Sequence, residues 1–264
     1  MKSVYRNKTS LWFAILGIFM LLFIIAPIGK ILLSAQGPNL LQALYDQEVL
    51  ASIWLTMSSA LWATLFTLIF GVPLAYLLAR NNFWGKKIIE GIIDLPVVIP
   101  HTAAGIALLT VFGQRFFMGK VLSFFGLSAV GTRLGIVIAM TFVSAPFLIN
   151  AAKEAFKLVD PKLENAARTL GASPWQAFWK ITLPLSKRAI FSGMIMMWAR
   201  GISEFGAIVI LAYHPMVAPV LIFERFEAFG LKYAQPVAVI LVLISLIIFT
   251  VLRTIVNRNN AKVN

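Results

Sequence analysis

Apolar residues in this chain gather in long runs separated by short polar stretches, the pattern of helices that cross a bilayer. A hydrocarbon core of roughly 30 Å needs about 20 helical residues at 1.5 Å each. Runs of that length occur six times, at Leu11–Leu33, Ser52–Ala79, Leu95–Gly113, Leu134–Ala152, Ala189–Ala212 and Pro236–Asn257. Together they take 135 of the 264 residues, so no separate soluble domain fits in the remainder and one membrane domain over 1–264 is predicted. The first run follows Lys2, Arg6 and Lys8 as a signal peptide would, but its 23 residues exceed the roughly 7–15 of a signal peptide's apolar segment. It is read as a permanent span. No repeat of 20–50 residues and no inverted pattern between the halves is visible.

Composition agrees. The chain is 60% hydrophobic and 12% charged, against about 45–50% and about 25% in soluble domains. Its mean hydropathy is +0.88. The formal charge of +13 acquires meaning only relative to the bilayer, and no basic-aromatic motif points to nucleic acid. Cysteine is absent and histidine occurs only as His101 and His214, which excludes disulfides, thiol catalysis and Cys/His metal sites. Lysine and arginine set the orientation. One side holds three at the N-terminus, three in Arg80–Lys87, seven in Lys153–Arg188 and three at the C-terminus; the other holds Lys30, three in Gln114–Arg133 and two in Tyr213–Gln235. The count of 16 against 6 predicts that both termini and the 153–188 loop are cytoplasmic.

Two spans carry unusual residues. Pro96 and Pro100 open the third at spacing i, i+4, followed by His101, Thr102 and Gly105, so its first half is expected to be kinked or irregular. Backbone freed at membrane depth faces protein or a water-filled cavity, so the kink serves either packing or a pathway. The fifth span contains Arg200, Ser203, Glu204, Phe205 and Gly206, with Arg200 and Glu204 at i, i+4 near mid-membrane. Such charges are costly and face the bundle interior or water. Pro96, Pro100, His101, Thr102, Arg200, Ser203, Glu204, Phe205 and Gly206 are therefore candidate pathway or gate residues.

The loop Lys153–Arg188 is too polar for lipid and well punctuated. Asp160 and Pro161 form an N-cap and N1 pair for a helix through Leu170 that Gly171 ends. Glu164 and Arg168 share one face at i, i+4, and Ala166 and Ala167 offer a small surface for close approach. Ser173-Pro174 starts a second short helix through Ile181, which Pro184 is expected to close. With Trp175 and Trp179 the two helices make a docking surface, or else an amphipathic elbow resting on the lipid interface.

Asn165-Ala166-Ala167, then Gly171 after three residues, Ile181 after nine more, and Leu183-Pro184 resemble the EAA loop of ABC importer permeases. The resemblance implies an all-α integral membrane protein of the type I ABC importer permease fold, with six transmembrane helices and a cytoplasmic coupling loop. It further implies that the loop docks into a cleft of a separate ATPase through Glu164, Asn165, Ala166, Ala167, Gly171, Ser173, Trp175, Ile181, Leu183 and Pro184. The family usually carries glutamate where this chain has Asn165, and the neighbouring Glu164 is the candidate to replace its ion pair with the ATPase. None of Gly29-Lys30, Gly85-Lys86 or Gly119-Lys120 is followed by the serine or threonine of a P-loop. ATP and its Mg²⁺ thus belong to the partner, and this chain is expected to be a transport subunit without catalysis or a cofactor.

Glu204-Phe205-Gly206-Ala207 resembles molybdate and tungstate permeases, whereas sulfate relatives tend toward tyrosine and serine there. The stretch Ala218–Ile222 and Glu224-Arg225-Phe226-Glu227 looks like archaeal members of that group. What this implies is import of a tetrahedral oxyanion, a second copy of the chain, and an extracytoplasmic binding protein. The alternatives are a sulfate-type permease, and an ion-coupled secondary transporter or intramembrane enzyme using Glu204. For Arg200 and Glu204 a mutually satisfied structural pair is the favoured role, since a strong fixed positive site would retain an anion that must leave. Proton relay through Glu204 is the other. No second carboxylate lies within a turn or two and neither histidine has a sequence-local partner, so no catalytic constellation is legible.

Overall fold

The computed structural model describes residues 8–34 and 38–258. Lys2, Arg6 and Lys262, three of the cytoplasmic charges inferred above, lie outside the described residues. The helices in chain order are α1 (Lys8–Ser34), α2 (Pro38–Tyr45), α3 (Gln47–Arg80), α4 (Lys86–Val98), α5 (His101–Phe112), α6 (Phe117–Phe124), α7 (Arg133–Leu158), α8 (Pro161–Thr169), α9 (Pro174–Ala177), α10 (Leu183–Ile202), α11 (Gly206–Leu211), α12 (Ala218–Phe229) and α13 (Leu231–Arg258). No strand occurs among the described residues.

Four of the six expected spans, the first, second, fourth and sixth, are single helices long and apolar enough to cross a membrane: α1, α3, α7 and α13. The other two are broken, each for a local reason. At the third, Pro100 cannot donate a backbone hydrogen bond and its ring pushes Ile99 into the extended region, φ −73° and ψ 146°. The chain therefore turns by 116° between α4 and α5. The expected single kinked span Leu95–Gly113 is corrected to the end of one helix followed by the 12-residue α5, which is only about 18 Å long. Two polar contacts fix α4 on α7: the Asn150 side-chain amide donates to Asp94 at 2.6 Å, and Lys153 lies 3.2 Å from Glu90.

The fifth run, Ala189–Ala212, likewise is not one span. α10 starts earlier, at Leu183, stops at Ile202, and is followed by the six-residue α11. Glu204 lies between them, and its carboxylate accepts the Ala207 backbone N–H at 2.9 Å. A side chain that takes a nearby amide in this way competes with helix continuation.

α3, α7 and α10 form the core, with α5 and α11 packed against it; Ala60, Ala63, Ala104, Ala139, Met140, Met197 and Ile208 are among the buried apolar residues. Small residues let backbones approach where lipid supplies no hydrophobic drive. A Cβ on Gly105 of α5 would stand 2.8 Å from the Ile210 Cβ and 2.9 Å from the Ala207 carbonyl oxygen, and one on Gly206 would stand 2.6 Å from the Cβ of His101. The Thr56 hydroxyl ties α3 to α12: it donates to the Ser52 carbonyl at 2.6 Å and accepts the Ala218 N–H at 2.8 Å. Arg225 of α12 reaches Asp46 and Glu48 at the start of α3, at 2.6 and 2.9 Å. By contrast α1, which touches α13, has no buried residue over 10–33.

The α5–α11 contact leaves no room for a side chain at Gly105. Gly105→Val is expected to cost about 1–3 kcal/mol by overpacking and to lower the thermal unfolding midpoint of the purified protein. A midpoint equal to the parent's would show that the two helices do not sit this closely.

Candidate functional site

The 153–188 loop folds into an elbow of two short helices. Asp160 accepts the Lys162 N–H at 2.9 Å and Pro161 occupies the first turn of α8. At its other end Gly171 has φ +91°, the Gly171 N–H bonds the Arg168 carbonyl, and the Ala172 N–H bonds the Ala167 carbonyl. Those two bonds and the left-handed glycine form a Schellman ending. Ser173 and Gln176 then make a reciprocal capping box on α9, at 2.9 and 3.2 Å. The expected stop at Pro184 does not occur. Residues Phe178–Thr182 form a π turn, in which the Leu183 N–H reaches back to the Phe178 carbonyl, and the chain passes directly into α10 with Pro184 in its first turn. Proline is tolerated there because the first-turn N–H groups of a helix need no partner of their own.

The elbow has two unlike faces. Outward it presents Asn165, Ala166 and apolar side chains, with Leu170 at 89%, Trp175 at 69% and Trp179 at 49% exposure. Inward it is held by one carboxylate. Glu164 accepts from Arg80 (Nε at 2.9 Å, Nη2 at 2.6 Å), from the Tyr76 hydroxyl at 3.0 Å and from Thr182 Oγ1 at 2.6 Å. The expectation that Glu164 is offered to a partner in place of a glutamate at 165 is therefore corrected: its side chain is 13% exposed and engaged within the chain. Burial pushes the Glu164 carboxyl up, but the donors from Thr182, Arg80 and Tyr76 outweigh it and hold it below the ordinary 4.5. Beneath this clamp Phe178 stacks edgewise on Tyr76 at 4.9 Å and lies 6.0 Å from the buried Phe156 of α7. Ile181 and Leu183 are half-buried on the same strip.

A second cluster lies where the two broken spans meet. His101, the first residue of α5, places Nδ1 2.8 Å from Glu204 Oε2, and Arg200 Nη2 lies 3.1 Å from the same oxygen. Glu204 is 1% exposed. Because a carboxylate only accepts, the His101 Nδ1 carries the hydrogen of that bond. Arg200 Nη1 donates to the exposed Ser203 hydroxyl at 3.3 Å. Thr102 and Pro100 are also exposed, Pro96 is buried, Phe205 packs on Phe223 at 5.1 Å, and Gly206 starts α11 against His101. The predicted pathway residues thus converge, apart from Pro96, which lies back on α4.

These features can be set beside known proteins. The family model described as "Binding-protein-dependent transport system inner membrane component" matches residues 71–264. The chain belongs to this family. Among curated relatives, the "Molybdate/tungstate transport system permease protein WtpB" of Thermococcus kodakarensis is 46% identical over 97% of this chain and 99% of that one. The "Probable sulfate transport system permease protein cysT" of Chlorokybus atmophyticus is 38% identical over 72% of this chain and 68% of that one. A solved bacterial ABC transporter involved in the import of the acidic polysaccharide alginate has the same fold: TM-score 0.73 at 20% identity, over 94% of this chain and 95% of that one. This inner membrane component thus has the ABC importer permease fold.

The elbow is legible in the sequence, but its anchor is not. Tyr76 and Arg80 sit at i, i+4 at the end of the second span, over 80 residues before Glu164, and no local spacing links them to it. Their assignment to the same side of the membrane as the 153–188 loop is the only available sign. His101 was likewise reached through its prolines and not through Glu204, which lies 103 residues away.

Gly171→Val forces a β-branched residue into a left-handed position at a cost of about 1–2 kcal/mol. The membrane helices should still insert, and co-purification of the partner ATPase should fall. Undiminished co-purification together with full substrate-stimulated ATP hydrolysis would show that an ATPase does not dock through this loop. Glu164→Ala leaves the largely buried Arg80 without its counter-charge, an uncompensated loss of about 3–5 kcal/mol, read as faster proteolysis within 161–182. Acid should mimic it only weakly. A carboxyl held below its ordinary 4.5 contributes fully above that value and loses the contribution as pH falls through the lowered one. Proteolysis of the parent should therefore be flat from pH 7 to about 5 and rise below about 4.5.

Proposed function

We propose that this chain is the membrane pathway of an ATP-driven importer for a tetrahedral oxyanion, molybdate or tungstate. The observation that carries the substrate class is the 46% identity to a molybdate/tungstate permease along nearly the whole of both chains. The sulfate relative matches less of the chain at lower identity, and so ranks second.

In this reading the outward face of the elbow, with Asn165, Ala166, Leu170, Trp175 and Trp179, seats the ATPase. The Glu164 clamp makes the elbow move as one body with α3 and α10. Nucleotide-driven closure then reaches the membrane helices without this chain binding ATP. Six membrane passages with both termini and the elbow in the cytoplasm fit the basic-residue count of 16 against 6, provided that α4–α5 and α10–α11 each count as one broken passage. Two copies, two ATPase subunits and an extracytoplasmic binding protein complete the machine. Polar exposure around the α5 and α10 breaks supports a second copy, because irregular backbone at membrane depth is tolerated only against protein or water.

Two measurements test the reading. A cysteine introduced at Lys162, in a chain with no other cysteine, should resist an impermeant label from outside intact cells; labelling would invert the topology. Vesicles holding the complete complex should take up tungstate or molybdate when supplied with ATP and loaded binding protein. Uptake driven by an ion gradient without ATP would assign Glu204 to a secondary transporter instead.

A further inference from the structure

We infer that Arg200 is a transient contact for the oxyanion on its way through the membrane, and that Glu204 weakens that contact enough for the anion to leave. This rests on the oxyanion-import reading above. Depth decides what the cluster faces. α5 runs about 18 Å from His101 to its far end, so the cluster lies well inside a 30 Å hydrocarbon core. There the exposed Pro100, Thr102 and Ser203 cannot face lipid without leaving broken-helix backbone unsatisfied. They face water or a second copy, and Arg200, at 23% side-chain exposure, is the cation among them.

The chemistry suits an oxyanion. A guanidinium carries five N–H groups in a planar fork that matches a pair of oxygens. Nη2 is shared between Glu204 at 3.1 Å and the His101 ring at 3.0 Å, and Nη1 reaches Ser203 at 3.3 Å, which leaves the Nε edge of the fork for an anion. Beside the fork stand the Ser203 hydroxyl and the first turn of α5, which no side chain caps; such a turn favours negative charge. A lone buried arginine would hold a dianion too long. Here Glu204 lies 3.1 Å away with its own bonds to His101 and to the Ala207 amide. When Arg200 swings toward the anion the carboxylate keeps its two hydrogen bonds but lacks a counter-charge, and it draws Arg200 back afterwards. The two charges cancel, so the site offers donors without net positive charge. A structural pair and a transport contact are therefore one device.

The test uses the complete complex in vesicles, with tungstate as probe and tungstate moved per ATP hydrolysed as the readout. Arg200→Gln alone leaves Glu204 short of a counter-charge and risks assembly, so the deciding variant is the double change Arg200→Gln with Glu204→Gln, which removes both charges and keeps similar shapes. It is expected to assemble with its ATPase and to move about tenfold less tungstate per ATP, the loss expected of one charge-assisted hydrogen bond. A double variant with the parent's ratio would overturn the proposal and leave the pair purely structural. Uptake by the parent that follows an imposed proton gradient, and that loses this dependence in assembled His101→Gln, would overturn it in favour of proton relay. Failure of the parent complex to move tungstate or molybdate at all would remove the import reading, and the proposal with it, before any variant is compared.

Discussion

Inside a bilayer every polar group must find its partner within the protein, and this demand shapes the chain more than any single apolar contact. It explains why the described residues are helical and strand-free. It also explains where the helices stop. Pro100 frees backbone at one point and Glu204 captures a backbone amide at another, and the fold sets these two irregular places against each other. Thr56 does the same on a smaller scale, filling the Ala218 amide at the start of α12 while satisfying its own hydrogen on α3. At these places the departure from a straight apolar helix meets a partner from a distant part of the sequence.

The elbow and the buried cluster are joined along one helical path. The π turn at Phe178–Thr182 passes into α10 without interruption, and α10 covers about 30 Å before it ends beside Arg200, Ser203 and Glu204. The Glu164 clamp fixes the start of that path to α3 through Arg80 and Tyr76. A displacement of the elbow therefore has no slack to lose before it reaches the break between α10 and α11.

Much of this was legible beforehand, and the parts that were not share a cause. Apolar run length located α1, α3, α7 and α13, because a membrane span is a local property of some 20 residues. Asp160-Pro161, Gly171 and Ser173-Pro174 marked the ends of the elbow helices, because caps act over three or four residues. Pro184 misled. Its meaning depends on whether a helix is ending or beginning, and the wide turn before it makes it a beginning. The fifth run read as continuous because hydropathy does not register that Glu204 bonds its own neighbour's amide. Glu164 was assigned to an outside partner because Arg80 and Tyr76 come to it only once α3 and α8 have packed.

α3 is fastened at both tips. Arg80 at one end is bound to the elbow through Glu164, and Asp46 at the other is bound to α12 through Arg225, each pair at 2.6 Å. As a 34-residue helix it is about 51 Å long, well beyond the thickness of a hydrocarbon core. Such a beam behaves as a see-saw. A tilt of one degree about its midpoint carries the two tips in opposite directions by about 0.4 Å, on the geometry of a 1.5 Å rise per residue. Neither fastening can be re-aimed alone, and a push delivered at one face of the protein arrives at the other reversed in sense.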